Sequence, residues 1–430
     1  MHTHDAPLAD AVDALRHGRE TPASSLERCR ERVDAVESEL RAFVPEGERW
    51  SRVEAAATAL PEESTLALYG VPVGVKDIFH VEGLPTRAGS ELPAAALAGP
   101  PATVWERLAD AGALALGKTV TTEFAYYAPG PTRNPHDTGH TPGGSSSGSA
   151  AAVAAGECPL ALGTQTAGSV LRPAAYCGVV GFKPTYDRIP TDGVLPFAPT
   201  VDHVGLFTQD LAGAVLAAAV CCDDWATVPA PGERPTLGVP DDAYLGLAEP
   251  AARAAFEEQL ERLSAAGFHV ERTDALADPE AVIDAHQRIM AAEMALVHRE
   301  RGWYPEFADR YADTTLELIE QGEATTTADL GAARADRLER RERIEATMAE
   351  RGVDCWVTPA APGPAPAGID DTGDPRMNLP WTNVGFPAVT VPAGDVEGLP
   401  LGLQCVAAPG RDEDLLGWAG QLVRALGAGG

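Results

Sequence analysis

Between Thr141 and Gly156 the chain reads TPGGSSSGSAAAVAAG, with Ser145, Ser146, Ser147 and Ser149 set between glycines and ahead of an alanine run. A further serine, Ser169, follows in the small-residue bend TAGSVLRP. A serine hydroxyl is a poor nucleophile unless a base takes its proton as it attacks. Lysine is scarce enough to be a clue to that base. Only Lys76, Lys118 and Lys183 occur among 33 basic residues, and the rest are arginine. Arginine is bulkier and cannot lose its proton, whereas lysine can, so a surviving lysine marks a place where arginine cannot serve. Lys76 stands in VPVGVKDIF, among valines and isoleucine. Burial in such apolar text disfavours the ammonium and lowers the lysine pKa toward neutrality, where the amine can act as a base.

Two short motifs compete for the same residues. Gly112–Thr119, GALALGKT, matches a phosphate-binding loop letter for letter. Its context is wrong: a helix precedes it, and Ala-Leu-Ala-Leu within it reads as a strand. Lys118 is therefore expected to be structural. Gly144–Gly148, GSSSG, matches the nucleophile elbow of an α/β-hydrolase, with Ser146 as nucleophile. That elbow needs a buried strand directly before it, and here the turn-rich NPHDTGHTPG precedes it. His269, His286 and His298, its possible partners, lie in helical or charged text with no mark of a triad. Ser146, Ser147 and Ser149 read as helix capping and packing.

The elements that must position these residues alternate in kind. Residues 5–60 have helical spacing of apolar positions, and 69–79 reads as a strand entering a loop. A helix over 102–112 ends at glycine and gives way to the strand ALALGKT. The serine stretch opens a helix over 148–156, followed by the strand PLALGTQT. Strand 234–242, helix 249–267 and strand 268–275 make a βαβ unit. Residues 279–352 are helical and charged, and 354–366 is a strand running into a proline-rich loop. Strands AVTVPAG and LGLQCVA then precede a last helix. The expected fold is α/β: a single large α/β/α domain with a central mixed β-sheet covered by helices. Within this single domain (1–430), the N-terminal helices take 1–60, the core 61–235, a more variable βαβ and helical section 236–352, and a C-terminal return to the sheet 353–430.

Composition sets the outer limits. The 430 residues are 45% hydrophobic, enough for a sizeable core. The formal charge is −30, with acids spread along the chain, which opposes nucleic-acid binding. Such a surface suits a protein kept soluble in high salt, as in a halophilic host, though an acidic protein from a GC-rich genome would look similar. No secretory signal and no bilayer-spanning run is visible, so a cytoplasmic protein with no membrane partner is expected. The seven scattered cysteines have no metal-ligand spacing, and neither a metal nor an organic cofactor is expected.

Several linked segments, in order, carry a resemblance: GVPVGVKDIFHVEGLPTRAGS, GKTVTTEFA, NPHDTGHTPGGSSSGSAAAVAAG, LALGTQTAGSVLRPAAYCGVVGFKPT, MNLPWTNVGFPAVTVPAG and GLPLGLQCVAAPGRDEDLL. The chain resembles the amidase signature family over most of its length, except around 240–350. The resemblance implies a Ser–Ser–Lys triad: Lys76 as general base, Ser145 as proton bridge and Ser169 as nucleophile. It assigns the oxyanion hole to the backbone N–H groups of Thr166, Ala167 and Gly168, with that of Ser169 itself. Gly144, Thr164 and Arg172 would support the loops or meet substrate. Arg172 either buttresses the loop or grips a substrate carboxylate, as in the malonamidase-like branch. The chain departs from the common family text TDTGGS at Gln165 and Ala167, and from GGSSGGS at Ser147. An alanine at 167 is tolerable where its φ is negative. The implied activity is hydrolysis of a small-molecule carboxamide through an acyl-enzyme, with a homodimer as a family-level expectation. Its rivals are the glutaminase-type component of a tRNA-dependent amidotransferase, a GxSxG esterase using Ser146, and a non-catalytic binding module.

Overall fold

A computed structural model describes residues 1–61, 65–230 and 232–427. The strands are β1 (Pro72–Lys76), β2 (Leu114–Thr119), β3 (Leu160–Gln165), β4 (Val180–Lys183), β5 (His203–Thr208), β6 (Leu237–Pro240), β7 (Val270–Thr273), β8 (Cys355–Pro359), β9 (Ala388–Val396) and β10 (Leu399–Ala407). They form one mixed sheet in the order β2-β1-β3-β5-β4-β9-β10-β8-β6-β7. β1 runs parallel to both neighbours, β2 and β3, while β5, β4, β9 and β10 continue the sheet in antiparallel pairs. β8, β6 and β7 close it in parallel. Every residue of β1, β2 and β3 is buried, so these strands read as continuous apolar runs, as strands covered on both faces do.

The helices that cover the sheet are α1 (Leu8–Arg16), α2 (Pro22–Leu40), α3 (Arg49–Ala59), α4 (Thr103–Asp110), α5 (Ser147–Ala154), α6 (Leu171–Cys177) and α7 (Leu211–Cys221). In the second half come α8 (Asp242–Leu245), α9 (Pro250–Ala265), α10 (Pro279–Glu300), α11 (Asp313–Ala324), α12 (Thr327–Arg351), α13 (Leu379–Asn383) and α14 (Asp412–Leu426). The single α/β domain expected from the sequence is what forms. Sequence pattern names no element between 167 and 233, yet α6, β4, β5 and α7 lie there. α7, LAGAVLAAAVC, is apolar at every position, so it shows no amphipathic stripe to announce a helix.

α5 shows how close the packing is around the serine loop. All eight of its residues are buried. A β-carbon at Gly148 would fall inside the Ala42 carbonyl oxygen and the Val120 amide, so no larger residue fits where this helix crosses the sheet. Among the described residues no helix is long and apolar enough to cross a membrane. All seven cysteines are buried and free.

Candidate active site

All three lysines are buried, each with a different partner set. Lys76 ends β1, is 0% exposed, and places Nζ 2.8 Å from Ser145 Oγ and 2.7 Å from Thr164 Oγ1. Among the described residues no carboxylate forms an ion pair with it. Burial pushes its pKa well below the ordinary 10.5, opposed only in part by the charge of Asp202. Lys118 is instead paired with buried Asp77 at 2.8 Å and donates to Thr86 Oγ1 at 3.1 Å. Asp77 thus points away from the Lys76 amine, and the phosphate-loop match is a strand with a salt bridge. Lys183 donates to the carbonyls of Phe386 (2.5 Å) and Pro184 (3.2 Å), and burial lowers it to about 7.

Ser145 sits just before α5, on a turn that needs small residues. Gly143 has φ +82°, and a β-carbon there would press on Pro173 and Tyr176. The Gly144 carbonyl accepts from Arg172 Nη2 at 2.7 Å, and the Ser145 carbonyl from Thr122 N at 3.2 Å. The neighbouring serines face elsewhere. Ser146 is fully buried; its Oγ donates to the Thr164 carbonyl (3.2 Å) and accepts from Thr164 N (3.3 Å). Ser149 donates to the Leu162 carbonyl at 2.8 Å and meets Thr119 Oγ1 at 2.7 Å. None of the three candidate histidine partners reaches Ser146: His286 bonds the Thr166 carbonyl, His298 bonds Tyr311, and His269 lies beside Glu271.

Ser169 follows β3 and precedes α6. Its Oγ has no hydrogen-bond partner among the described residues, and the N–H groups of Thr166, Ala167, Gly168 and Ser169 donate to none either. Four backbone donors in one bend are thereby left unspent beside a free hydroxyl. Ala167 is absent from the residues with positive φ, so its β-carbon is accommodated without backbone strain. Gln165, the other departure from the common family text, is fully buried and accepts from Val170 N (2.8 Å) and Leu171 N (3.0 Å), capping the start of α6.

Ser145, Thr166, Ala167, Ser169 and Arg172 line one small cavity, of about 20 Å³, walled by Ala125, Tyr126, Tyr127, Phe197, Met290 and Pro375. That is room for little more than one water, so substrate entry requires the walls to give. Ser145 and Ser169 share this cavity without a direct hydrogen bond between them. Arg172 is 1% exposed; Nη2 also reaches Thr372 Oγ1 at 3.3 Å, while Nε and Nη1 are buried with no partner. A larger groove of about 1080 Å³, near Phe43, Trp50 and Pro131, includes none of Lys76, Ser145 and Ser169.

A family model described as Amidase matches residues 24–416. The chain belongs to the amidase signature family. It is a hydrolase acting on C–N bonds. It is 31% identical to the A subunit of glutamyl-tRNA(Gln) amidotransferase from Synechococcus sp. (strain RCC307), over 95% of each chain. It is 32% identical to the AtzE subunit of 1-carboxybiuret hydrolase from Pseudomonas sp. (strain ADP), over 97% of this chain and 98% of that one. A crystal structure of an amidase superposes with a TM-score of 0.87 at 33% identity, covering 97% of this chain and 99% of the other.

Lys76, Ser145 and Thr164 therefore lie in one hydrogen-bonded group, Gly144 is tied to Arg172, and Thr166, Ala167, Ser169 and Arg172 line the adjoining cavity, with Gly168 in the bend between them. The walls Tyr126, Tyr127, Phe197, Met290 and Pro375 carry no mark in the sequence. Met290 comes from α10, outside the linked segments that carry the resemblance in the sequence.

Proposed function

We propose that this amidase-family chain works as a stand-alone amidase, hydrolysing a small carboxamide through an acyl-enzyme on Ser169. The observation that carries the reading is the Lys76 amine: fully buried, without a counter-ion among the described residues, and held by two hydroxyls. A neutral amine has one lone pair and two N–H bonds. It can accept from Ser145 while donating to Thr164, and Ser145 can accept in turn from Ser169 as that hydroxyl approaches substrate.

Attack then forms the Ser169 Oγ–carbon bond and sends the Ser169 proton through Ser145 to Lys76. The oxygen that becomes negative is met by the unspent N–H groups of Thr166–Ser169; each such donor is typically worth about 3–4 kcal/mol in the transition state. The C–N bond breaks as the proton returns through Ser145 to the leaving nitrogen. Water then repeats the sequence on the ester and frees Ser169. Arginine at 76 would abolish this, because it holds its proton throughout.

The amidotransferase reading is the rival, since relatives carry that name. Length does not separate the two, because the alignment spans 95% of both chains. The unpaired Nε and Nη1 of Arg172 support a substrate that brings its own carboxylate. A substrate carboxylate would satisfy one of them, since Nε and Nη1 lie on opposite edges of the planar guanidinium, and each costs about 1–3 kcal/mol to leave buried and unbonded. The test is ammonia release by the purified chain alone from a panel of neutral primary amides, half-amides of short dicarboxylic acids, and glutamine. Release from non-glutamine amides is expected. Release from glutamine alone would overturn the proposal in favour of the amidotransferase role.

A further inference from the structure

Two of the four N–H groups in the Thr166–Ser169 bend belong to peptides whose carbonyls are tied down on the opposite side. The Thr166 carbonyl bonds His286 Nε2 at 2.8 Å, and the Ala167 carbonyl accepts from Thr382 Oγ1 at 2.6 Å. Neither peptide is cis. In a planar trans peptide the C=O of one residue and the N–H of the next point in opposite directions. Holding the Thr166 carbonyl therefore fixes where Ala167 N–H points, and holding the Ala167 carbonyl fixes Gly168 N–H.

We infer that His286 and Thr382 are positioning residues that aim the Ala167 and Gly168 amides into the catalytic cavity. This rests on the reading of Ser169 as nucleophile. Both residues come from far along the chain, on α10 and α13, and each is itself held. Thr382 Oγ1 accepts from Gln165 Nε2 at 2.8 Å, and the Gln165 carbonyl oxygen caps α6, so one side chain joins both ends of the bend to the clamp. His286 Nδ1 meets Asn383 Nδ2 at 3.1 Å, and Asn383 Oδ1 accepts from Arg340 Nη1 of α12 at 3.1 Å. An amide donating to Nδ1 leaves the proton on Nε2, the tautomer that can donate to the Thr166 carbonyl. Burial holds this imidazole neutral, lowering it to about 4. The Thr166 side chain is anchored separately, donating to Asp202 Oδ1 at 2.6 Å, while Asp202 Oδ2 accepts from Phe197 N and Ala198 N. The α10–α12 section, outside the segments that carry the resemblance, thus reaches the oxygen-binding donors through His286. Sequence change there can alter catalytic rate without touching the triad.

The experiment measures phosphonylation of the full chain by an alkyl fluorophosphonate, with the maximal rate and the half-saturating concentration resolved. His286→Leu and Thr382→Val remove the two clamps independently; His286→Gln and Thr382→Ser keep a donor at each. The leucine and valine variants should lower the maximal rate about 10- to 100-fold with little change in half-saturation, and the conservative pair should stay within about threefold of the parent. Melting curves identify any variant that fails to fold, and the other clamp then decides the matter. Parent-like rates in both disrupting variants, or equal losses in disrupting and conservative variants, would overturn the inference. A parent protein that takes no label on Ser169 would instead overturn the nucleophile assignment, and this inference with it.

Discussion

Glu157 lies just past the C-terminus of α5, the helix that begins beside Ser145, and is placed where a carboxylate is expensive. It is fully buried, and neither carboxyl oxygen has a donor. Burial, and then the neighbouring Glu37, push its pKa well above the ordinary 4.5, with Arg49 and Arg32 opposing. Glu37 accepts from Ala42 N (2.9 Å) and Phe43 N (2.7 Å), which favours its ionised form; Glu157 is therefore the member that keeps a proton and donates it to Glu37. Between 4.5 and its folded pKa, Glu157 is ionised in the unfolded chain and protonated in the folded one. The folded state then binds more protons, so this group lowers stability as pH rises. Replacing it by glutamine, which can still donate to Glu37, removes that loss. Each pH unit between 4.5 and the folded pKa is worth up to about 1.4 kcal/mol of that loss. One amide hydrogen left without a partner costs about 1–2 kcal/mol at every pH, so the variant is expected to be the less stable protein near pH 4.5 and to gain on the parent as pH rises above that. Thermal unfolding of both proteins from pH 4.5 to 8 checks this, with amide hydrolysis unchanged. Relief of self-repulsion in a chain of charge −30 also favours the variant, but that part is flat above pH 5.5 and is screened by salt. A difference in melting temperature that does not grow with pH, measured in high salt, would refute the reasoning.

Other outcomes follow from the same structure. Hydrolysis should rise with pH along an acid limb lying well below 10.5, because activity needs Lys76 deprotonated and burial lowers its pKa; a limb near 10.5 in the pH profile of kcat/KM would contradict this. Ser145→Ala should cost about 10²- to 10⁴-fold in kcat with little change in melting temperature, measured as ammonia release. Arg172→Gln should raise KM for half-amides of dicarboxylic acids by about 10- to 100-fold and affect neutral amides much less. For those anionic substrates the parent KM should fall as salt rises, since the surface charge of −30 repels them. The seven buried thiols, several raised by burial to about 12 or beyond, should react with an aromatic disulfide reagent only as fast as the protein unfolds, read by absorbance against time.

Much of the site is legible in local text. Lys76 stands out because lysine is so rare, and its apolar neighbours announce its burial. The small-residue bend before Ser169 is visible as TAGS, and the alanine run after Ser145 as a helix. Ser146 is separable from Ser145 because no strand precedes GSSSG, and the structure gives the reason: Ser146 is spent on the Thr164 backbone. What escapes the sequence is contact between distant segments. Thr382 bonds a carbonyl 215 positions away and His286 one 120 away, and nothing in PWTN or IDAHQ signals either. The cavity walls are similarly silent, since Tyr126, Phe197 and Met290 come from three separate stretches. α7 gives no signal because the face it turns away from the core carries alanine, valine and leucine, so no polar face sets its period.

The most direct test is to treat the intact chain with an alkyl fluorophosphonate and find the modified residue by peptide mass. The account expects the label on Ser169, and its loss in Lys76→Ala. Label on Ser146, or a folded protein that takes none, would contradict it.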